Sequence, residues 1–211
     1  MFSVIVSVND ENCFNTMLRP SLQDASNMVV KHGFPPLDII IVTGNFSIFH
    51  NYNQGASRSK FPIKVFIHQD VCLLDTSWIF KIIGSFYMYP SCGLIGFVGT
   101  TKLLNRGMWW ESGVEYIHGE LFSGKEKANW VFKSISEPIK VECVDGFFLA
   151  TNRNIMWDTT LDGFHLYDLD YCREIKKAGY DIMVVPHKVW HIGEIREEKP
   201  VFDSYYKKWN L

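Results

Sequence analysis

Phe61-Pro62-Ile63-Lys64-Val65-Phe66-Ile67-His68-Gln69-Asp70-Val71 is the stretch that decides how the chain is read. Pro62 opens it. Ile63, Val65, Phe66 and Ile67 form an apolar run rich in β-branched residues, and three polar residues stop it. Such a run is expected to be a buried strand. A parallel strand covered on both faces is near-continuously apolar. Open α/β sheets bind ligands just past the carboxyl ends of their strands, and here that position holds His68 and Asp70. Two residues apart on an extended chain, they project to the same side.

Working outward, the flanking segments alternate strand and helix. Residues 2–8 read as a first strand, closed by a polar turn at Asn9-Asp10-Glu11-Asn12. A helix is expected within 16–31, ended by His32-Gly33 and Pro35-Pro36. Residues 37–43 form a second buried strand, followed by a short helix over 47–53 and a polar, glycine-bearing segment over 53–58. Asp75 or Thr76 can cap a helix to about residue 87, and a fourth strand covers 93–98. This alternation predicts parallel βαβ units with right-handed crossovers. Residues 100–140 break the pattern and read as loops and short strands. A strand over 139–144, an apolar stretch over 147–151 and an amphipathic helix over 168–178 capped by Gly179 follow. A strand over 180–185, extended chain over 187–193 and a closing helix over 197–209, interrupted by Pro200, complete the reading.

The totals exclude several classes. Apolar residues make up 47% of the chain, enough for a core. A net charge of −2 gives no basic surplus for a general nucleic-acid binder. Cys13, Cys72, Cys92, Cys143 and Cys172 are odd in number and lack a Cys-x-x-Cys pair, which suits the reduced thiols of a cytosolic protein. The first strand begins at Phe2, which leaves no room for a signal peptide. The most apolar window, 78–98, carries Lys81, Pro90 and several glycines and reads as helix then strand. A cytoplasmic location is therefore expected. Asn45-Phe46-Ser47 matches a glycosylation sequon and is a chance match in a cytosolic chain.

Polar groups follow the strands at Asn9, Asp10, Asn45, His68, Asp70, Asp145, His187 and His191. In a doubly wound sheet these ends share one edge. His68 and Asp70 are of the donor types that hold a divalent cation: a carboxylate suits Mg2+ or Mn2+, and an imidazole shifts preference toward Mn2+ and later metals. A strand-end turn in which Asp70 caps neighbouring N–H groups explains the same residues. Asp168 and Asp170 open a helix, where acids cap N–H groups; a carboxylate there could also accept a proton from a hydroxyl nucleophile. Asp162 is open to the same two readings. His191, next to Trp190, is ordinarily a packed residue, and only its distance from Asp70 would make it a ligand.

In order, Val4-Ile5-Val6-Ser7-Val8-Asn9, Ile39-Ile40-Ile41-Val42, Tyr52-Asn53-Gln54-Gly55-Ala56, Phe66-Ile67-His68-Gln69-Asp70-Val71, Asp145-Gly146-Phe147-Phe148-Leu149-Ala150-Thr151, Phe164-His165-Leu166-Tyr167-Asp168-Leu169-Asp170-Tyr171-Cys172, Lys177-Ala178-Gly179-Tyr180 and Val185-Pro186 resemble a nucleotide-sugar glycosyltransferase of the family-two type. The likeness is to small bacterial glycosyltransferase-like proteins of capsule or cell-surface polysaccharide. It implies a GT-A type α/β fold in a single domain: a central, mainly parallel, Rossmann-like sheet flanked by helices, with a smaller antiparallel acceptor-side element. Residues 1–99 would then bind the nucleotide, and 100–211 the acceptor and the catalytic groups. It implies transfer from a nucleotide-diphosphate sugar, UDP-sugar first, to a glycan or lipid-linked acceptor by an inverting displacement that needs Mn2+ or Mg2+. Asp70 and His191 fall on the metal and Asp168 on the base. Ser7, Asn9, Asn45, Gln54, Arg58, His68, Gln69 and Asp145 fall on the nucleotide sugar. Lipid-linked acceptors imply peripheral association with the inner membrane face, and Trp109, Trp110 or Trp157 could stack on a sugar. The chain departs from the family's Asp-x-Asp at His68 and from its Glu-Asp at Tyr167, and Thr43-Gly44-Asn45 stands where relatives carry an acid.

Two other readings compete. A degenerate member would bind nucleotide or glycan without turnover. His68-x-Asp70 with His191 also matches the two-His-one-carboxylate set of non-haem iron oxygenases, although the βαβ alternation disagrees with the β-helix scaffold typical of that chemistry.

Overall fold

The computed structural model describes residues 1–44, 47–104, 108–193 and 199–211. Strand β1 (Phe2–Val8) lies between β2 (Asp38–Thr43) and β3 (Ile63–His68) and is parallel to both. Its near-continuous apolar sequence follows from double coverage. Phe2, Val4, Val6 and Val8 enter one core with Leu18, Leu22, Trp78 and Ile79, whereas Ile5 enters a second core with Phe49, Tyr52 and Phe66. Helices α2 (Leu18–Lys31) and α4 (Trp78–Met88) therefore cover one face and α3 (Ile48–Ser57) the other. A Cβ on Gly55 would stand 2.2 Å from Ile5 Cγ2, so this glycine lets α3 press against β1.

Three local expectations change. Asn9–Asn12 is not a simple turn: Asp10 caps the short helix α1 (Glu11–Thr16) by accepting the Cys13 N–H at 2.9 Å. The helix expected over 47–53 runs on as α3 through Ser57 and takes in most of the polar segment over 53–58. The expected strand over 93–98 divides into β5 (Cys92–Gly96) and β6 (Val98–Thr100), which belong to different sheets.

The main sheet has seven strands in the order β2-β1-β3-β11-β5-β12-β9. It includes β9 (Ile139–Val141), β11 (Phe148–Thr151) and β12 (Asp181–Val184). β11 inserts antiparallel between β3 and β5, so the sheet is mixed: parallel through β2, β1 and β3, and again between β5 and β12. A smaller, mostly antiparallel sheet runs β10-β6-β7-β13-β4, with β8 (Ala128–Val131) paired to β7 (Ile117–Ser123). It contains β4 (Val71–Leu73), β10 (Cys143–Val144) and β13 (Lys188–His191). The expected strand over 139–144 is thus two short strands, β9 and β10, one in each sheet.

Helix α5 (Tyr167–Lys177) packs beneath the main sheet, and α6 (Lys199–Trp209) closes the chain. Pro200 lies in the first turn of α6, where a missing N–H is harmless, and does not interrupt it. Tyr205 is fully buried there, and Lys208 Nζ reaches Asp158, Asp170 and Glu174 at 2.8, 2.6 and 3.1 Å. All five cysteines are free thiols. No helix among the described residues is long and apolar enough to cross a membrane.

Candidate functional site

Strand pairing assembles a cluster at the carboxyl edge of β1 and β3. β3 ends at His68, opposite Ser7 of β1. Three residues later, at Val71, the chain enters β4 in the smaller sheet. β13 pairs antiparallel with β4 and sets His191 opposite Val71, and the Ile192 N–H donates to the Asp70 carbonyl at 3.2 Å. His191 Nε2 then lies 3.4 Å from Asp70 Oδ1, His68 Nδ1 lies 3.9 Å from the same oxygen, and the two ring nitrogens are 3.2 Å apart.

Two of the three spacings, 3.2 and 3.4 Å, fit a divalent cation, and the 3.9 Å between His68 Nδ1 and Asp70 Oδ1 would shorten by about 0.5 Å around one. Ligands about 2.1 Å from one ion, at tetrahedral to octahedral angles, are about 3.0–3.4 Å apart. Two facing ring nitrogens also leave a lone pair or a proton between them that a cation would replace. The backbone preserves the space: a Cβ on Gly193 would stand 2.5 Å from His191 Nε2 and 3.0 Å from Asp70 Oδ2.

The charges are poised for it. Burial opposes ionisation of Asp70, but contact with His191 and the proximity of His68 hold its pKa at about 2. Burial also works against the His191 cation, and Asp70 outweighs it and raises the His191 pKa. Burial, reinforced by His191, pushes His68 down to about 4 and keeps it neutral.

Around the cluster, Gln69 Oε1 accepts the N–H groups of Asn9 and Asp10, both at 3.0 Å, and its amide nitrogen donates to Asn9 Oδ1. This ties the β1–α1 loop to the end of β3. Ser7 Oγ accepts from Asn51 Nδ2 at 2.8 Å. Asp145 directly follows β10, where its carboxylate accepts the Phe147 N–H at 3.2 Å, and burial raises its pKa. The Asp168 carboxylate is buried at the head of α5 and accepts the N–H groups of Gly146 at 3.0 Å and Leu169 at 2.9 Å. Burial and then the neighbouring Asp145 charge lift it to about 7.

The structure thus brings Ser7, Asn9, His68, Gln69, Asp70, Asp145, Asp168 and His191 to one edge. Two predicted residues lie elsewhere, one on α3 and one at its C-cap. Gln54 is exposed on that helix, and Arg58 is exposed with its guanidinium on the Ile41 carbonyl at 3.4 Å. Asn45, and with it the sequon, lies outside the described residues. Trp157 is a core residue, 3% exposed and stacked on Tyr171 at 3.9 Å, and not a sugar platform. Asp170 is buried against Lys208 and the Trp209 indole, and Asp162 caps its own turn through the Gly163 N–H.

Tyr167 is the residue that motif reading passed over. Its hydroxyl meets His68 Nε2. Leu166, left-handed at φ 58°, precedes it and aims it inward. That conformation costs a leucine about 1–2 kcal/mol, and the residues around Leu166 do not announce it. The one sequence signal was that Tyr167 replaces an expected acid.

The three ligand-type residues do form a two-His-one-carboxylate set, but on an α/β scaffold and not the β-helix of the oxygenase alternative. No curated protein matches the sequence. Among solved structures, the chain is similar to GalNAc-T7 with UDP, GalNAc and Mn2+, at TM-score 0.62 and 10% identity, over 98% of this chain and 48% of that one. It is also similar to the mannosyltransferase PcManGT from Pyrobaculum calidifontis in complex with GDP-Man and Mn2+, at TM-score 0.55 and 12% identity, over 92% of this chain and 57% of that one. The chain therefore spans about half the length of these structural relatives. At such identities the likeness establishes a shared GT-A fold. The model described as "Glycosyltransferase like family" matches residues 3–210, nearly the whole sequence, and the chain belongs to that family.

Proposed function

We propose that the chain transfers a sugar from a nucleotide-diphosphate sugar to an acceptor hydroxyl, with a divalent cation held by His68, Asp70 and His191. The observation that carries this reading is the three-ligand cluster at the carboxyl edge of β1 and β3, beside Ser7, Asn9 and Gln69. Relatives of the same fold that hold UDP or GDP-mannose with Mn2+ support it. A bound cation would neutralise the diphosphate leaving group. The chain's own residues do the positioning. Gln69 fixes the β1–α1 loop, so Asn9 and Ser7 offer ordered polar groups to base and ribose. Asp168 takes the proton of the acceptor hydroxyl as it attacks the anomeric carbon from the far face, a single displacement that inverts configuration. A pKa of about 7 suits a base at neutral pH. UDP-sugars are the first donors to test, and a glycan or lipid-linked acceptor at the inner membrane face, in surface-polysaccharide synthesis, is the expected partner.

One observation favours a second reading. Both Asp168 oxygens already accept backbone N–H groups, as a structural clamp would. The chain would then bind nucleotide or glycan without turnover. Nucleoside diphosphate release from UDP- and GDP-sugars with Mn2+ separates the two. Turnover is expected in the wild type. Asp168→Asn should lose turnover with nucleotide affinity nearly intact, and Asp70→Ala should lose Mn2+-dependent nucleotide binding. Binding without release in every acceptor mixture supports the second reading. Loss of nucleotide affinity in Asp168→Asn counts against its role as base, and a product of retained anomeric configuration by NMR refutes inversion.

A further inference from the structure

The two positions at which the sequence departs from its family's pattern, His68 and Tyr167, touch each other. The hydroxyl of Tyr167 meets His68 Nε2. The other ring nitrogen, Nδ1, faces His191 Nε2 at 3.2 Å and Asp70 Oδ1 at 3.9 Å. We infer that Tyr167 is a positioning residue: its hydroxyl accepts the Nε2–H of His68, fixes that tautomer and turns the bare Nδ1 into the cluster. His68 thereby becomes a third cation ligand in place of a sugar contact. The inference deepens the metal-dependent reading above and rests on it for the identity of the cation.

The geometry leaves Tyr167 little choice. It is 4% exposed. Its ring is boxed edge-on by Phe49 at 6.4 Å and Tyr52 at 5.9 Å and packs against Trp157 at 5.8 Å. Gly146 clears its path, since a Cβ there would stand 2.2 Å from the Tyr167 oxygen. A neutral imidazole has one N–H, and the group that accepts it decides which nitrogen carries the free lone pair. In metal sites such a partner sets both tautomer and ring orientation, and its removal weakens binding about 10- to 100-fold. Two imidazoles and one carboxylate, in place of carboxylates alone, favour Mn2+ and later divalent ions over Mg2+. Tyr167 is thus a determinant of which cation the site accepts.

The test has a metal-free arm and a metal arm. In the metal-free protein, 15N-detected imidazole correlations should show His68 as the Nε2–H tautomer; an Nδ1–H tautomer overturns the inference, whatever the site binds. In the metal arm, Mn2+ and Mg2+ affinities are measured by EPR and competition for the wild type, Tyr167→Phe, His68→Ala and the double variant. Tyr167→Phe should weaken Mn2+ about 10-fold or more, change Mg2+ little, and cause no further loss when added to His68→Ala. A Mn2+ affinity within twofold of wild type in Tyr167→Phe, or losses that add in the double variant, overturns it. If the wild type binds no Mn2+, the functional reading fails and the tautomer still decides the His68–Tyr167 contact. Circular dichroism checks that the variants fold. If Tyr167→Phe does not fold, the wild-type tautomer measurement stands alone.

Discussion

Gly193→Ala is a clean steric probe of the cation site. Gly193 does not have a left-handed φ, so alanine fits the backbone. The new Cβ would lie 2.5 Å from His191 Nε2 and 3.0 Å from Asp70 Oδ2. An ordinary carbon–nitrogen contact is about 3.5 Å, so His191 must give way by about 1 Å. It has little room to do so: its ring packs against Phe147, centroids 5.3 Å apart, and against His68 at 5.2 Å. Overpacking of this kind costs about 1–3 kcal/mol. Because the strain falls on ligand atoms, it should appear as Mn2+ binding weakened about 5- to 150-fold. The metal-free fold carries part of the same strain, offset by the about 0.4–1 kcal/mol that replacing a flexible glycine contributes through the unfolded chain, so stability should fall by less than the loss in binding. EPR titration of free Mn2+ reads the first quantity and urea unfolding of the metal-free protein the second. Wild-type Mn2+ affinity in Gly193→Ala would refute the placement of the cation between His191 and Asp70. A matching loss of stability would show that the residue supports the fold and not the site.

Two further outcomes follow from charge. Mn2+ affinity should fall as pH drops through the raised His191 pKa: above it His191 is neutral and Asp70 ionised, and below it about one proton must leave per ion bound. His68 adds a second proton only toward pH 4. Calorimetry at pH 6 in buffers of different ionisation enthalpy counts the protons, and no release there contradicts the assignment. Lys208→Met should destabilise the fold by about 3–5 kcal/mol, because it strands the Asp170 carboxylate, which is 1% exposed, with the Trp209 indole as its remaining described partner. A loss below about 1 kcal/mol in urea unfolding would mean that the pair is replaced by water at little cost.

Much of the fold was legible because it depends on local pattern. Apolar runs in β1 and β3 mark covered strands, and the polar residues after them mark one sheet edge; β2, expected to be buried, is an edge strand with Ile39 and Thr43 exposed. The middle of the chain was less legible. Phe97 separates two apolar stretches that a reader joins, and a single residue between β9 and β10 hands the chain from one sheet to the other. Phe97 is apolar like its neighbours and Glu142 continues the alternation begun by Lys140, so neither break leaves a periodic signal. The helical end of α3 was hidden by its polar composition, although Gly55 is there for close packing on Ile5. Gln54 and Arg58, assigned to the nucleotide sugar by the family resemblance, lie on that helix and at its C-cap.

By itself, the sequence determined the first strands and the main helices, the edge at which polar residues gather, and the donor types of His68, Asp70 and His191. Only the tertiary structure decided that the last three meet. Their convergence depends on β13 pairing with β4 in one register, and a shift of one residue would turn His191 to the opposite face. The tertiary structure also joined His68 to Tyr167, two departures from a motif that look unrelated along the chain. A left-handed Leu166 and a missing Cβ at Gly146 bring them into contact, and both are facts of backbone geometry that residue order does not display.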